Sequence, residues 1–306
     1  MPAGRRALVT GGSGFVGRRL VRKLSSEGWD VRVLSSGSAP RDAAVEQSAA
    51  VRWFGLGSED IRAASQGVTH FFNFAVVYDR PEHPQSLLDE VNVRLPLRIM
   101  AALHSACAGF TCVLGDSFFR KFPPDATRQG RYTASKQQLA DELRGMAARD
   151  CRIALLQIEQ VYGPGESVSK VFPRVAQQML AHTPRIALTS GEQRRDFIHV
   201  DDVVAAACVT ADGEWNGLVN VECGSGQSTE VREVFRRMHD LAHSRSVLGF
   251  GDIAPDQKIV DSTADQRWLS ERGWSCHYSL EDGLQDFMRD MAARFQTPTV
   301  APGEAS

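Results

Sequence analysis

The first 165 residues alternate short apolar runs with longer segments in which apolar residues recur at helical spacing. A short apolar run is typical of a buried strand, whereas apolar positions three and four residues apart indicate one face of a helix. The predicted strands are residues 7–9, 31–34, 69–75, 111–114 and 152–158, and the predicted helices are residues 15–26, 85–106 and 133–148. Strands that alternate with helices in this way predict an α/β fold with a parallel, doubly wound sheet.

The pattern changes after residue 165. Segments become shorter, and glycine, proline and aromatic residues interrupt them. We therefore expect residues 1–165 to form the main domain and residues 166–306 to form mainly a smaller substrate-binding lobe, with residues 187–210 as a stretch that could return to the main domain. Ligands of open parallel sheets bind outside the carboxyl ends of the strands, so the crevice between the lobes is the expected substrate site.

Composition argues against several classes of protein. Hydrophobic residues make up 42% and charged residues 24% of the 306 residues, which is typical of a globular chain. The net charge of -2 indicates no surface for nucleic acid, and six cysteines without a CxxC pair indicate reduced thiols rather than a metal site. The apolar run at residues 7–9 is too short for a signal peptide or a membrane span, so we expect a cytoplasmic protein without a membrane partner.

A glycine-rich segment, TGGSGFVG at residues 10–17, joins the first predicted strand to the first predicted helix. Gly11 permits a tight turn, Gly14 lets the backbone approach a pyrophosphate, and Gly17 lets the helix pack closely. The free N–H groups at the helix N-terminus then face the phosphates. The segment predicts the dinucleotide site of a Rossmann sheet, with a merely structural turn as the alternative. The expected cofactor contacts are Gly11, Gly14, Phe15, Val16 and Gly17.

The end of the second strand favours NADP as the cofactor. A carboxylate at this point would bind the ribose of NAD, whereas a nearby arginine would suit the 2′-phosphate of NADP. Ser35 and Ser36 follow the strand, and the acidic Asp30 precedes it at the opposite edge of the sheet. We therefore predict NADP, bound by Ser35, Ser36 and Arg41, with NAD as the alternative cofactor. For Arg41, a solvated surface position is an equally good interpretation.

Tyr132 and Lys136 are four residues apart in a predicted helix, so they share one face of it. A neighbouring ammonium stabilises a phenolate and lowers the pKa of the phenol. Tyr132 could then exchange a proton with a substrate oxygen near neutral pH. An incidental surface pair is the alternative, which the preceding glycine segment and alternating strands disfavour.

Further motifs follow in order along the chain. They are NFA at residues 73–75, VNV at 91–93, GDS at 115–117, YGPG at 162–165 and GEQRRDFIHVDD at 191–202. Together with the glycine segment and the Tyr-Lys pair, they resemble the motifs of the extended short-chain dehydrogenase/reductases of the NAD(P)-dependent epimerase/dehydratase family. The resemblance covers about residues 6–290 and implies a Rossmann domain with a C-terminal substrate-binding lobe.

The resemblance implies roles for the residues that match these motifs. Tyr132 would be the catalytic acid or base. Lys136 would lower the pKa of Tyr132 and hold the nicotinamide ribose, so that both residues also contact the cofactor. Ser117 would hydrogen-bond the substrate oxygen, and Asn73 and Ala75 would lie beside the cofactor.

The resemblance also implies substrate contacts. Arg195 would pair with the diphosphate of a nucleotide sugar, with a structural salt bridge as its alternative role. Gln160 stands where the family often has Asn near the substrate, and Asp116, next to Ser117, is a further expected contact. His199, in the same motif as Arg195, would be structural, and no metal is expected.

The residues after Ser117 narrow the range of reactions that the protein could catalyse. They read FFRK at residues 118–121 and lack the carboxylates that sugar dehydratases of the family place there. The segment resembles the 4-ketoreductases of nucleotide deoxysugars, such as the CDP-abequose and CDP-paratose synthases. We therefore expect NADPH to deliver hydride to C4 of a 4-keto nucleotide-deoxysugar while Tyr132 donates a proton and Ser117 supports the developing charge. The alternatives are a nucleotide-sugar 4-epimerase, a reductase of a non-sugar carbonyl, and a cofactor-binding regulatory protein without catalysis.

The resemblance also bears on oligomeric state. Many relatives form dimers through two helices that correspond to residues 85–106 and 133–148. A homodimer is therefore expected by analogy.

Overall fold

The computed structural model describes residues 4–37, 48–107, 109–126, 129–146, 151–254 and 261–296. The strands are β1 Arg6–Thr10, β2 Asp30–Leu34, β3 Val51–Phe54, β4 His70–Asn73, β5 Thr111–Ser117, β6 Arg152–Ile158, β7 Gln160–Tyr162, β8 Arg185–Leu188, β9 Arg194–His199, β10 Leu218–Cys223, β11 Ser228–Glu230 and β12 Val247–Phe250. The helices are α1 Phe15–Ser26, α2 Ser58–Ser65, α3 Gln85–Asp89, α4 Leu95–Ala106, α5 Gly130–Met146, α6 Val171–Leu180, α7 Val200–Asp212, α8 Val231–Leu241, α9 Arg267–Ser270 and α10 Leu280–Gln296. A π-helical turn, Glu90–Arg94, joins α3 to α4.

The main sheet has seven parallel strands within the described ranges, in the order β10-β6-β5-β4-β1-β2-β3. Adjacent residues of a strand point to opposite faces, so Phe71 packs in the apolar layer with α2, α4 and α5, and Phe72 in the layer with α1 and α7. A sheet covered by helices on both faces explains why its central strands are continuous apolar runs. The predicted doubly wound Rossmann fold is confirmed.

Two strands of this sheet were not predicted from the sequence. β3 and β10 lie at its two edges, and each pairs with a neighbour on one side only. Edge strands bury less surface, and the four residues of β3 are all at least partly exposed. β10 comes from the stretch assigned mainly to the smaller lobe, so residues 166–306 also contribute to the main sheet.

Residues 187–210 divide between two parts of the molecule. β9 pairs with β7 and β11 in a separate three-stranded sheet, whereas α7 packs on the main sheet through Val203 and Ala207. A third apolar cluster, which includes Phe172, Met179 and Phe287, joins α6, α8 and α10. The division of the chain into a domain and a lobe remains a prediction. It rests on two apolar cores, that of the main sheet and this third cluster.

The search for membrane spans gave a negative result. Within the described ranges, no helix is both long and apolar enough to cross a bilayer.

Candidate active site

The glycine turn after β1 is closed by its own backbone. The Gly14 N–H donates to the Gly11 carbonyl over 2.9 Å, and Gly11 has a φ of +70°, a conformation that other residues rarely adopt. A Cβ on Gly17 would lie 2.0 Å from the Gly11 carbonyl oxygen. The turn therefore requires glycine at positions 11 and 17, as the sequence predicted.

The turn leads directly into the N-terminus of α1. Phe15 and Val16 are the first residues of this helix, and Gly14, at its N-cap, makes no side-chain capping bond. The first N–H groups of a helix have no partner within the helix. Backbone donors and the positive end of the helix dipole thus come together where a pyrophosphate is expected to bind.

Asn73 and Ala75 lie against this turn at the end of β4. A Cβ on Gly11 would lie 2.5 Å from the Ala75 nitrogen. The Asn73 Oδ1 accepts a hydrogen bond from the Thr10 hydroxyl over 2.5 Å. Its Nδ2 is buried and has no partner among the described residues. This orphaned donor and the glycine turn fit a dinucleotide that supplies the missing acceptor.

The predicted 2′-phosphate contacts are placed only in part. Ser35 follows β2, and its backbone N–H donates to the Phe54 carbonyl over 3.0 Å. Ser36 is exposed beside it, and Arg41 lies outside the described residues. Asp30 is at the other end of β2, where its carboxylate pairs with Arg6.

Ser117, Tyr132 and Lys136 come together at the carboxyl edge of the main sheet. Ser117 ends β5, and its hydroxyl hydrogen-bonds the Tyr132 side chain. The Lys136 Nζ lies 5.7 Å from the Tyr132 ring centroid and donates to the Gly115 carbonyl over 2.6 Å. All three side chains are buried. α5 starts at Gly130 rather than at residue 133, so Tyr132 lies in its first turn.

The electrostatics of the pair differ from the sequence-based expectation. Burial, and then Tyr78 and Asp116, raise the pKa of Tyr132 well above its ordinary value, although the Ser117 hydrogen bond lowers it. Burial also lowers the pKa of Lys136. The expected lowering of the Tyr132 pKa is absent because desolvation dominates and the ammonium donates to a carbonyl. Tyr132 is therefore protonated at neutral pH, the form that a proton donor needs.

Asp116, a predicted substrate contact, forms an internal ion pair. Its Oδ2 accepts from the Arg120 Nε over 2.6 Å, and both side chains are almost fully buried. Burial raises the pKa of Asp116, and the positive charges of Arg120 and Lys136 oppose the rise. A direct contact with substrate remains a prediction for this residue.

Arg195 and Gln160 lie on adjacent strands, β9 and β7. The Arg195 guanidinium lies 5.4 Å from the ring centroid of Phe118, the residue after Ser117. Burial lowers the pKa of Arg195, and one of its N–H groups donates to the Arg194 carbonyl over 3.0 Å. Arg195 thus comes close to the catalytic end of β5, whereas Gln160 is partly exposed.

The remainder of the GEQRRDFIHVDD motif ties segments of the chain together. The His199 ring stacks on Tyr278 with 3.8 Å between centroids. The Asp202 carboxylate accepts from the His277 and Tyr278 backbone N–H groups over 2.8 and 3.1 Å. These contacts agree with a structural role for this half of the motif.

Two side chains near Tyr132 were missed by sequence reasoning. The Tyr78 ring centroid is 5.2 Å from that of Tyr132, and the Lys170 Nζ lies 3.5 Å from the Tyr78 ring centroid. Both residues lie in irregular segments far apart in sequence, so periodicity gave no signal for either. Asn92 was noted within a motif but given no role, although its amide holds the loop that carries Tyr78 through hydrogen bonds to Val77.

Comparisons with known proteins agree with this architecture. The family model of the NAD dependent epimerase/dehydratase family matches residues 7–221. CDP-abequose synthase of Salmonella muenchen is 29% identical over 93% of this chain and 97% of its own length. The dTDP-4-dehydro-6-deoxy-D-allose reductase of Streptomyces bikiniensis is 28% identical over 67% of this chain and 72% of its own. The solved structure of MoeE5 in complex with UDP-glucuronic acid and NAD has a TM-score of 0.81 at 24% identity, covering 94% of this chain and 99% of its own.

Proposed function

Because the chain belongs to the NAD-dependent epimerase/dehydratase family and is an NAD(P)-dependent enzyme of the oxidoreductase type, we propose that it reduces a 4-keto nucleotide-deoxysugar to the 4-hydroxy sugar. The observation that carries the proposal is the buried phenol of Tyr132 beside Ser117 and Lys136 at the carboxyl edge of the main sheet. A reductase needs a proton donor in this place. The names of the similar synthase and reductase point to the same class of substrate.

The chain's own residues bind and orient the two reactants. The N–H groups at the start of α1 and the unpaired Asn73 amide are suited to hold a dinucleotide at the carboxyl edge. The reduced nicotinamide, when bound, supplies the hydride. Arg195, with its fixed fork of donors, would bind the substrate diphosphate.

Proton transfer is the part of the reaction that the protein performs. As C4 gains a hydride, its oxygen gains negative charge, and the Tyr132 hydroxyl donates its proton to that oxygen. The Ser117 hydroxyl stabilises the same charge by a hydrogen bond. One hydride and one proton convert the ketone to an alcohol, and Tyr132 recovers a proton from water. The Lys136 ammonium is held beside the Tyr132 ring by its hydrogen bond to the Gly115 carbonyl.

The segment after Ser117 argues against dehydration. Residues 118–121 provide no carboxylate. The nearby Asp116 is held in the ion pair with Arg120. A sugar dehydratase needs a free acid and base beside the ring, so reduction fits this site better.

The cofactor choice and the assembly are parts of the same proposal. We infer NADPH, because the described residues directly after β2, residues 35–37, are Ser, Ser and Gly and include no carboxylate. We also infer a homodimer through α4 and α5, which gel filtration at micromolar concentration would test, a monomer being the contrary result. The cytoplasmic location stays a prediction, testable by cell fractionation.

The test is incubation of the protein with NADPH and with 4-keto deoxysugars carrying CDP, dTDP, GDP or UDP. We expect loss of the reduced-nicotinamide absorbance with at least one of them, and slower loss with NADH. No oxidation with any sugar would overturn the proposal. Conversion without net use of NADPH, by protein that retains its cofactor, would identify a 4-epimerase. Oxidation by non-sugar carbonyls alone would identify a different reductase.

A further inference from the structure

Lys170 lies beside the Tyr78 ring, which packs against the catalytic phenol, and among the described residues its ammonium is in no salt bridge, although the charge of Glu166 acts on it. Its Nζ lies 3.5 Å from the Tyr78 ring centroid, and that ring lies 5.2 Å from the Tyr132 ring. The distance from the Lys170 Nζ to the Tyr132 ring centroid therefore cannot exceed the sum of these two distances. Within the described part of the chain, the ammonium takes part in no ion pair and no side-chain hydrogen bond.

The surroundings of Lys170 favour an incoming anion. Burial lowers the pKa of this lysine, the charge of Glu166 opposes this effect, and Arg80 lowers the pKa further. Glu166 is itself buried, and burial raises its pKa to about 7, so near neutral pH it is only partly charged. A partly buried ammonium whose acidic neighbour, Glu166, is only partly charged near neutral pH costs free energy, part of which an anion at its head group would recover.

The loop beneath Lys170 holds Tyr78 in a fixed place. The Asn92 amide exchanges two hydrogen bonds of 2.9 Å with the backbone of Val77. The Asp79 carboxylate accepts from the Arg131 side chain over 2.8 Å. The ring that supports the ammonium therefore moves little, which reduces the entropy lost on binding a ligand.

The segment that carries Lys170 is also held on both sides. The Gly165 carbonyl accepts from Arg18 of α1 over 2.5 Å, and the Gly165 N–H donates to Asp290 of α10 over 2.8 Å. The Lys170 carbonyl accepts the Arg174 N–H over 3.2 Å at the start of α6. The side chain thus projects from an anchored backbone toward the catalytic end of the sheet.

We propose that the Lys170 ammonium binds a phosphate group of a nucleotide in the crevice, with the Tyr78 ring as its support. Lysine presents a compact charge with three donors, which suits a phosphate oxygen. Two nucleotides are expected in this crevice, the sugar nucleotide and the dinucleotide, and each carries a diphosphate. The inference rests on the proposed function, because it requires these nucleotides beside Tyr132.

The test compares Lys170→Met and Lys170→Gln with Lys170→Arg, which keeps the charge. Lys23→Met is the matched control, because its ammonium already pairs with Glu27 over 2.7 Å on α1. Calorimetric titration with CDP and UDP probes the sugar-nucleotide side, and NADPH probes the cofactor side. We expect loss of the charge to raise the Kd for one class of probe about 10- to 100-fold. Lys170→Arg should recover most of the affinity, and Lys23→Met should change nothing.

Two further measurements separate binding from folding and from catalysis. Because the ammonium is partly buried and is in no salt bridge among the described residues, Lys170→Met should keep the Tm of the wild type or raise it. Unchanged Kd values for all three probes in the folded Met and Gln variants would overturn the inference, as would equal weakening of phosphate-free cytidine and uridine. If the wild type reduces a sugar of the panel but Lys170 does not affect binding, only this inference fails. If binding depends on Lys170 but no sugar is reduced, only the proposed function fails.

Discussion

At the scale of the residue, the chemistry depends on the Tyr132 hydroxyl. Tyr132→Phe removes the proton donor but leaves the apolar ring that packs against Tyr78. We expect kcat to fall by a factor of about 10² to 10⁴, with the Kd for NADPH within a few fold of the wild type. Steady-state kinetics and titration measure the two quantities. Tyr278→Phe is the control, since its ring stacks on His199 outside the site; equal losses in both variants would contradict the assigned role.

A second residue-scale prediction concerns the glycine turn. Gly17→Ala places a methyl group where the Gly11 carbonyl oxygen is only 2.0 Å away, so the turn must open. We expect a loss of about 1–3 kcal/mol in the free energy of unfolding and weaker NADPH binding. Gly145→Ala is the matched control, because a Cβ there meets nothing within 4 Å and alanine favours the helix. NADPH binding by Gly17→Ala as tight as by Gly145→Ala would rule out the close approach.

At the scale of the element, the π-helical turn between α3 and α4 connects the Tyr78 loop to the catalytic helix. Its Asn92 donates both to the Val77 carbonyl and to the Ser135 hydroxyl of α5, over 2.9 and 3.0 Å. The Ser135 hydroxyl in turn donates to the Tyr132 carbonyl over 2.7 Å. One buried amide thus fixes the loop and the first turn of α5 relative to each other.

Asn92→Ala should therefore affect both stability and catalysis. It removes the hydrogen bonds to the N–H and C=O of Val77, which is partly buried, at a cost of up to about 1–3 kcal/mol for each group. We expect a lower unfolding free energy in urea and a lower kcat, because Tyr78 and Tyr132 lose their common anchor. Gln138→Ala, exposed on α5, provides the comparison. An Asn92→Ala variant as stable and active as Gln138→Ala would show that the amide does not position the site.

At the scale of the whole molecule, Glu166 couples stability to pH. Burial raises the pKa of its carboxyl group from 4.5 to about 7, and the segment it belongs to is bound to α10 by a hydrogen bond from Arg294. Between these two pKa values the folded protein holds a proton that the unfolded chain has lost. The contribution of this group to stability is therefore largest below about pH 4.5 and decreases as the pH rises through about 7.

Glu166→Gln should remove this dependence. The variant is expected to gain stability relative to the wild type as the pH rises from about 4 to 8, by up to about 3 kcal/mol. Urea unfolding of both proteins across this range measures the difference directly, and other titrating groups cancel in it. A difference that stays constant with pH would show that the pKa of Glu166 is the same in the folded and the unfolded protein.

The strands that are fully buried in the main sheet could be predicted from the sequence. β1, β5 and β6 lie inside the main sheet, so their apolar runs predicted them. The edge strands β3 and β10 bury too little surface to produce such a run. Parallel strands bring their carboxyl ends to one edge of the sheet. The resemblance to the family assigned catalytic roles to Ser117, Tyr132 and Lys136, so the sequence predicted that these residues come together at this edge.

The parts of the site that the sequence did not reveal depend on tertiary contacts. Tyr78 and Lys170 are far apart in sequence, and they meet only in the folded chain, where two irregular segments come together. The raised pKa of Tyr132 follows from the depth of its burial. The four-residue spacing of Tyr132 and Lys136 indicates that an ammonium lies near a phenol. It does not indicate how far water is excluded from either group.

The most direct measurement follows the hydride itself. Wild-type protein is incubated with NADPH deuterated at the transferable position of the nicotinamide and with the 4-keto nucleotide sugar that gives the fastest reduction, and the product is examined by NMR and mass spectrometry. We predict one deuterium atom at C4 of the product for each NADPH oxidised, and almost no product with Tyr132→Phe. A product that carries no deuterium at C4, or a converted sugar with NADPH left intact, would contradict the proposed reduction.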